Sequence, residues 1–106
     1  MVKDNSILFE RIKKTVQSVV PSADIILYGS YARGEQKEES DIDLLILVNN
    51  NCLSYEERKK ISYPLFNLET EVGITISPLI YDKNTWENKH YVTPFYKNVK
   101  ADGILL

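Results

Sequence analysis

Apolar residues near the start of the chain recur every three or four positions, as they do on one face of an α-helix. The residues that follow this spacing are Ile7, Leu8, Ile12, Val16, Val19 and Val20. The pattern predicts a helix over residues 4–20, and Pro21 favours its end there. Residues 23–28 form a short run rich in apolar and β-branched side chains, which is typical of a buried strand.

A second apolar run, over residues 42–48, predicts a central strand that is covered on both faces. Between the two strands, Gly29 breaks the first one and Ser30 can cap a short helix or tight turn. Residues 34–40 are polar and charged, and they therefore predict a loop.

Residues 54–69 begin with a helix-start signal, since Glu57 follows Ser54 by three positions as in a capping box. Pro64 lies inside this segment and is expected to kink the helix or to divide it in two. Residues 49–51 are three consecutive asparagines, which predict the turn that precedes the helix.

The rest of the chain continues the alternation of helices and strands. Residues 73–81 predict a third strand, in which Pro78 indicates an edge position or a bulge. Short helices are expected over residues 83–89 and 93–100, followed by an apolar tail at 104–106. The alternation indicates an α/β (α+β) domain in which helices pack on a small sheet.

Composition limits the class of protein. A chain of 106 residues suffices for one core, so a single domain over residues 1–106 is expected. The formal charge of -2 argues against a dedicated nucleic-acid binder. No apolar run reaches the roughly 18 residues that span a membrane. The lone Cys52 excludes an intrachain disulfide framework and is expected to be incidental. Together with a start that lacks a signal-peptide pattern, these features predict a cytoplasmic location.

Candidate chemistry lies between the first two strands. Asp41 and Asp43 are two positions apart where a strand begins, so both carboxylates leave the same face. A carboxylate within the apolar run is costly to bury unless a cation offsets its charge, which favours a divalent-metal site over a structural role. The turn at Gly29 and Ser30 offers backbone N–H groups and a hydroxyl that suit a phosphate, although such a turn alone is more often only structural.

Two other residues near this turn keep two interpretations each, and a third keeps one. Arg33 follows the serine by three positions and could reach the phosphates, or it could pair with one of the glutamates in the loop after it. Tyr31 could line a nucleotide pocket or pack against the fold, whereas Tyr28 is expected in the core.

This region resembles the signature of the minimal nucleotidyltransferases of the polymerase-β-type superfamily, which is Gly-Ser, a gap, and Asp-x-Asp. The matching residues are GSYARG at 29–34 and SDIDL at 40–44. The resemblance implies a polymerase-β-type fold with a small mixed sheet of three to four strands flanked by helices. The order of helices and strands extends a weaker resemblance over residues 4–83.

The resemblance also implies an activity: transfer of a nucleoside monophosphate from an NTP such as ATP to an acceptor hydroxyl, with release of pyrophosphate. Asp41 and Asp43 would be catalytic and would hold Mg²⁺ or Mn²⁺, while Gly29 and Ser30 would hold the triphosphate. Small members of this family often accompany a helical HEPN-type partner, in some cases as the antitoxin of a toxin–antitoxin pair that adenylylates the partner.

One position departs from the family pattern. The superfamily usually supplies a third carboxylate from a later strand, and Ser77 occupies the matching position here. Glu71 could act as the third carboxylate after a shift of register. The departure leaves a second hypothesis open, in which the chain is a catalytically weak nucleotide-binding module that acts as an antitoxin-like partner.

The surface that a protein partner would use has two interpretations at this stage. Four apolar residues near the C-terminus could form a homodimer or partner face: Phe95, Tyr96, Ile104 and Leu105. The alternative is that the same residues close the core.

Overall fold

The computed structural model describes residues 5–49, 53–89 and 92–106. Its helices are α1 (Ser6–Val19), α2 (Ser30–Arg33), α3 (Tyr55–Val72), α4 (Lys83–Lys89) and α5 (Pro94–Asp102). Its strands are β1 (Asp24–Tyr28), β2 (Ile42–Val48), β3 (Ile76–Asp82) and β4 (Ile104–Leu105). Cys52 and most of the predicted asparagine turn lie outside the described residues. Within these ranges, no helix is both long enough and apolar enough to cross a membrane.

The strands form one mixed sheet in the order β3-β2-β1-β4. β2 runs parallel to β3, while β1 is antiparallel to both β2 and β4. This confirms the predicted α+β architecture of a small mixed sheet flanked by helices. The tail predicted at 104–106 differs, because Ile104 and Leu105 pair with Leu27 and Ile26 as a short edge strand.

One face of the sheet is covered by α1 and α3. Side chains alternate along β1, so Ile25 and Leu27 point into this layer. The helices meet them with buried side chains at helical spacing: Ile12 and Val16 from α1, and Ile61, Leu65 and Leu68 from α3. This packing fixes β1 and β2 side by side, and the candidate chemistry lies where β1 ends and β2 begins.

The opposite face is covered by α4 and α5, mainly through one aromatic side chain. Trp86 is 1% exposed and forms a second small core with residues of β2 and α5. Phe95 and Tyr96 lie against the Trp86 ring, with centroid distances of 5.6 and 5.0 Å. These two residues close the core, which is one of the predicted alternatives, whereas Ile104 and Leu105 remain exposed.

Helix α3 is continuous over 18 residues despite the proline near its middle. Ser54 Oγ accepts the backbone N–H of Glu57 at 3.1 Å, which confirms the predicted cap. The prediction that Pro64 divides the helix is wrong, because Ile61 and Leu65 on either side of it are both buried. Their burial offsets the backbone hydrogen bond that a proline cannot donate.

The junction between α5 and β4 requires a glycine. A Cβ at Gly103 would lie 2.4 Å from the carbonyl oxygen of Val99 and 2.8 Å from Ile26 Cγ2. We expect Gly103→Ala to lower the free energy of unfolding by about 1–3 kcal/mol, because the added methyl group overpacks this junction. Urea denaturation of wild type and variant measures the loss. An unchanged midpoint would show that α5 can move away from β1 without cost.

Candidate functional site

A tight turn joins the end of β1 to the start of α2. Gly29 has a φ of 76° and a ψ of -156°, a backbone region that is essentially restricted to glycine. Its carbonyl oxygen accepts the N–H groups of Ala32 and Arg33 at 3.1 and 3.2 Å. The Ser30 carbonyl oxygen accepts the N–H of Glu35 at 2.9 Å, so backbone hydrogen bonds hold the turn in shape. The first N–H groups of α2 have no partner within the helix, as in any helix, and can face an anion.

The turn lies directly against the start of β2. Antiparallel pairing puts Tyr28, the residue before the turn, opposite Asp43. A Cβ at Gly29 would be 2.4 Å from Asp43 Oδ2, so only glycine lets the backbone and the carboxylate come this close. The structure thus brings the Gly-Ser turn and the Asp-x-Asp segment together where β1 ends and β2 begins, at one end of the two central strands.

The two aspartates of this segment differ in environment. Asp41 is exposed, whereas Asp43 is half-buried. Burial raises the pKa of the Asp43 carboxyl, and the negative charge of Asp41 raises that pKa further. The positive charge of Arg33 acts in the opposite direction and lowers this pKa. Because the two carboxylates repel one another, the site favours a bound cation.

Arg33 lies between two negative groups. Its Nε is 3.4 Å from Glu35 Oε2, and both side chains are largely exposed. Arg33 therefore forms an ion pair with a glutamate of the following loop, which is one of its two interpretations, and its positive charge also lowers the pKa of Asp43. Exposed ion pairs contribute only about 0–1 kcal/mol, so a phosphate could replace Glu35 as the partner of the guanidinium at small cost.

The third strand does not supply a carboxylate to the pair. Parallel pairing puts Ser77 opposite Asp43, on the same face of the sheet. Glu71 instead forms an ion pair with Arg11 of α1. In the part of the chain that the structure describes, no three or more His, Cys, Asp and Glu side chains form a group that could hold a metal. The structure therefore does not bring Glu71 to the aspartate pair.

Two further acidic residues of this region have structural roles. Glu69 Oε1 accepts the Ile76 N–H at 2.7 Å, where β3 begins. Asp82 lies at the other end of β3, opposite Val48. Its carboxylate accepts the backbone N–H and the hydroxyl of Thr85 at 3.0 and 3.2 Å, which caps α4.

Tyr28 packs against the second small core, as the sequence predicts, and it also borders the site. Its side chain leaves the same face as that of Asp43, since the two residues are paired on neighbouring strands. Burial, the Asp43 charge and the nearby Tyr81 raise the pKa of Tyr28 to about 12. Its ring packs edge-to-face on Phe95 with a centroid distance of 5.2 Å, which links α5 to the site. No local signal in the sequence identifies this neighbour of Asp43, because the pairing depends on the register between β1 and β2.

Tyr31 contributes to packing rather than to the edge of the site. Its ring meets Phe9 of α1 edge-on, with a centroid distance of 6.4 Å. Both rings lie against the core between the sheet and the first pair of covering helices. The structure favours the packing interpretation of this residue over a nucleotide pocket.

The oxygen ligands at this edge fit a divalent cation. Asp41 and Asp43 supply carboxylates, and Mg²⁺ is usually bound by one or two carboxylates together with water and substrate phosphates. Gln36 Oε1, in the loop before them, is buried and has no hydrogen-bond partner among the described residues. An unpaired buried oxygen is unfavourable unless a ligand satisfies it. The two carboxylates by themselves are of the kind that Mg²⁺ or Mn²⁺ takes together with water and substrate phosphates.

Comparison with known families decides the identity of the domain. The family model described as nucleotidyltransferase domain matches residues 9–101. This chain belongs to that family. The identification made from the Gly-Ser and Asp-x-Asp motif is thereby confirmed, and the chain is a nucleotidyltransferase.

Two proteins of Methanocaldococcus jannaschii are similar to this nucleotidyltransferase in sequence. One, a candidate protein adenylyltransferase, is 37% identical over 78 residues, which cover 72% of this chain and 78% of that protein. Another candidate protein adenylyltransferase is 35% identical over 82 residues, which cover 77% of this chain and 75% of that protein. Both similarities extend well beyond the motif.

Solved structures share the fold of this nucleotidyltransferase. A chain in the crystal structure of a toxin–antitoxin with AMP-PNP matches with a TM-score of 0.65 at 22% identity, over 91% of this chain and 69% of that chain. A candidate minimal nucleotidyltransferase matches with a TM-score of 0.62 at 21% identity, over 98% of this chain and 97% of that chain. At these identities the likeness concerns the fold alone, and it confirms the expected fold class.

Proposed function

We propose that this nucleotidyltransferase uses Mg²⁺ to transfer AMP from ATP to a hydroxyl group of a partner protein, with release of pyrophosphate. One observation supports the proposal most strongly: Gly29 approaches Asp43 so closely that the Gly-Ser turn lies against a carboxylate of the Asp-x-Asp segment. The relatives described as candidate protein adenylyltransferases support ATP as the nucleotide and a protein as the acceptor.

Some residues of the site would bind the phosphates, and others would bind the metal. The N–H groups after Gly29 and the Ser30 hydroxyl would donate to phosphate oxygens, and Arg33 would neutralise further charge. Asp41 and Asp43 would hold Mg²⁺, which when bound offsets the negative charge of the triphosphate. The chain would then accelerate transfer mainly by placing the acceptor oxygen in line with the bond that breaks at the α-phosphate.

The partner and the location belong to the same proposal. A chain of similar fold occurs in a toxin–antitoxin crystal structure, which supports a protein partner. The sequence resemblance suggests that this partner is a helical HEPN-type protein and that the present chain is the antitoxin. The single cysteine supports a location in the reducing cytoplasm.

A second function is favoured by one observation. Ser77 stands opposite Asp43, where the superfamily usually has a third carboxylate, and Glu71 is paired with Arg11. A serine hydroxyl is a poor acceptor for the proton that the attacking hydroxyl group must lose. In this case the chain would bind Mg²⁺ and ATP but transfer AMP slowly, as an antitoxin-like binding module.

The variant Ser77→Asp separates these two functions. The new carboxylate would share a sheet face with Asp43 and could accept the proton of the acceptor hydroxyl. If the chain is a binding module that lacks a proton acceptor, we expect a transfer rate about a hundred times higher than that of the wild type. Initial rates of AMP transfer measure the change, with Ser77→Asn as the control for side-chain size. An unchanged rate would show that the wild-type site already has a proton acceptor, which contradicts the binding-module function.

Transfer itself is tested with a purified candidate partner and labelled nucleotides. ATP, CTP, GTP and UTP labelled at the α-phosphate are compared in Mg²⁺ and in Mn²⁺. We expect label from ATP on the partner protein, and none when the label is on the γ-phosphate, which leaves within pyrophosphate. Labelling by the γ-phosphate would contradict nucleotidyl transfer. Binding of ATP in calorimetry without any labelling would support the binding module instead.

A further inference from the structure

The exposed side of α3 carries a row of aromatic residues. Tyr55, Tyr63 and Phe66 are 71, 59 and 62% exposed, and their spacing places them on one side of the helix. Lys59 Nζ lies 4.3 Å from the centroid of the Tyr55 ring and 5.8 Å from that of the Tyr63 ring. We call these four residues the α3 stripe. The lysine ammonium therefore contacts the Tyr55 ring and lies at the outer limit of a cation–π contact with the Tyr63 ring.

An apolar groove of about 350 Å³ runs between the α3 stripe and β3. Tyr63 and Phe66 form one wall of the groove, and Pro78 forms part of the other. The groove is on the side of the sheet that α3 covers, whereas Asp43 leaves the opposite face. This surface is therefore separate from the candidate nucleotide site.

The free edge of β3 beside the groove is closed to a further strand. The register with β2 points the backbone N–H and C=O groups of the even-numbered residues of β3 away from β2, toward the free edge. Of these residues, Ile76 donates its N–H to a glutamate of α3, Pro78 has no N–H, and the Ile80 carbonyl accepts from an arginine of α3. A partner on this side must dock through side chains, since strand addition is blocked.

The α3 stripe is complementary to itself when two helices run antiparallel. With a two-fold axis between residues 60 and 61, Tyr55 of one copy meets the partner's Phe66, and Lys59 lies near the partner's Tyr63. The contacts are reciprocal, as a two-fold interface requires. Lys59 Nζ lies nearer to the Tyr55 ring than to the Tyr63 ring and pairs with Glu56 Oε1 at 3.6 Å, so each lysine brings its own counter-charge to the centre of the interface.

The exposed aromatic rings supply about half of the area that a stable dimer interface needs. An aromatic side chain presents roughly 150–250 Å², so three rings exposed to this extent supply roughly 400 Å² per copy. A stable interface buries about 800 Å² per partner, so the three rings would form about half of it. Aromatic side chains are also the residues that interface centres favour.

We propose that the α3 stripe joins two copies of this chain in a dimer, with antiparallel α3 helices packed about a two-fold axis. Both candidate nucleotide sites stay open in this arrangement, because they lie on the other face of each sheet. The dimer does not depend on the proposed function, and its test involves no nucleotide.

Light scattering coupled to size-exclusion chromatography of the full chain tests the dimer. At about 100 µM, where a micromolar interface is saturated, we expect twice the chain mass of 12.2 kDa. Phe66→Glu is expected to weaken the dimer at least about a hundred-fold, because it places a charge at an apolar contact. Leu105→Glu is the matched control: Leu105 is 67% exposed on β4, outside the α3 stripe, and this variant should remain dimeric. Circular dichroism shows whether each variant is folded.

The antiparallel register is tested by restoring the contact with opposite charges. Tyr55→Lys alone is expected to weaken the dimer as Phe66→Glu does. The double variant with both substitutions places lysine and glutamate opposite each other across the axis, and its dimer affinity is expected to be at least about tenfold higher than that of either single variant. A wild type that remains monomeric would overturn the proposal, as would a dimer that Phe66→Glu leaves intact or a double variant without recovery. A monomer that binds a purified protein of another kind through Phe66 would also overturn it, in favour of a heterologous partner.

Discussion

Asp43→Asn is expected to lower the rate of AMP transfer roughly a thousand-fold, because a bound divalent cation contributes several kcal/mol of charge stabilisation. Asparagine keeps the size of the side chain and its contact with Gly29, but it lacks the negative charge that holds the cation. Initial rates of transfer from ATP labelled at the α-phosphate, at fixed Mg²⁺ concentration, measure the loss.

A neighbouring acid provides the control for this variant. Glu39 is exposed in the loop before the aspartate pair, and Glu39→Gln removes the same charge. Its transfer rate is expected to stay within about twofold of the wild type, because an exposed charge in this loop is screened by water and salt. Equal rates for Asp43→Asn and wild type would exclude Asp43 as a metal ligand.

Without metal, Asp43→Asn is expected to be at least as stable as the wild type. Burial and Asp41 raise the pKa of Asp43, so the folded state holds this proton more tightly than the unfolded state does. The charged carboxylate therefore lowers the free energy of unfolding. This effect is complete at pH values above the raised pKa of Asp43 and absent at pH values below the usual aspartate pKa of about 4. Urea denaturation in EDTA should show the wild type losing stability relative to the variant as the pH rises through this window.

Gly29→Ala is expected to lower the free energy of unfolding by about 2–4 kcal/mol and to abolish ATP binding. The backbone conformation at Gly29 is unfavourable for any residue with a side chain. In addition, the new Cβ would lie 2.4 Å from Asp43 Oδ2. Either the turn or the carboxylate must move, so the phosphate and metal ligands would no longer share a site. Urea denaturation and calorimetry with ATP and Mg²⁺ measure the two effects.

Gly73→Ala separates backbone strain from the steric clash. Gly73 ends α3 with a φ of 73°, and among the described residues, its chain neighbours aside, no atom lies within 4 Å of an added Cβ. Alanine at this position introduces backbone strain without a steric clash. We therefore expect the free energy of unfolding to fall by about 1–2 kcal/mol and ATP binding to be unchanged. Binding of ATP to Gly29→Ala with wild-type affinity would show that the close approach to Asp43 is not needed.

The fold could be predicted wherever the apolar pattern extends over several residues. The helical spacing of α1 and the unbroken apolar run of β2 each indicate the right element. The pairing of Ile104 and Leu105 could not be predicted, because two residues carry no periodicity and the strand depends on contacts with β1. The continuity of α3 could not be predicted either, because it depends on the burial of Ile61 and Leu65, which outweighs the local effect of Pro64.

The site was predictable where local spacing determines geometry. The spacing of Asp41 and Asp43 predicts that they share a face, and the structure puts Asp43 against Gly29. The position of Glu71 depends on which side of α3 faces α1, and Arg11 binds it there. The role of Tyr28 depends on the register between β1 and β2, which appears only in the folded chain.

A crystal structure with Mg²⁺ and α,β-methylene-ATP, which cannot be cleaved at the reacting bond, tests most directly whether the turn and the aspartate pair form one nucleotide site. We expect the metal about 2.0–2.1 Å from carboxylate oxygens of Asp41 and Asp43. Phosphate oxygens should lie about 2.7–3.2 Å from the N–H groups that follow Gly29. A nucleotide bound elsewhere, or a metal held without these two carboxylates, would contradict the proposed site.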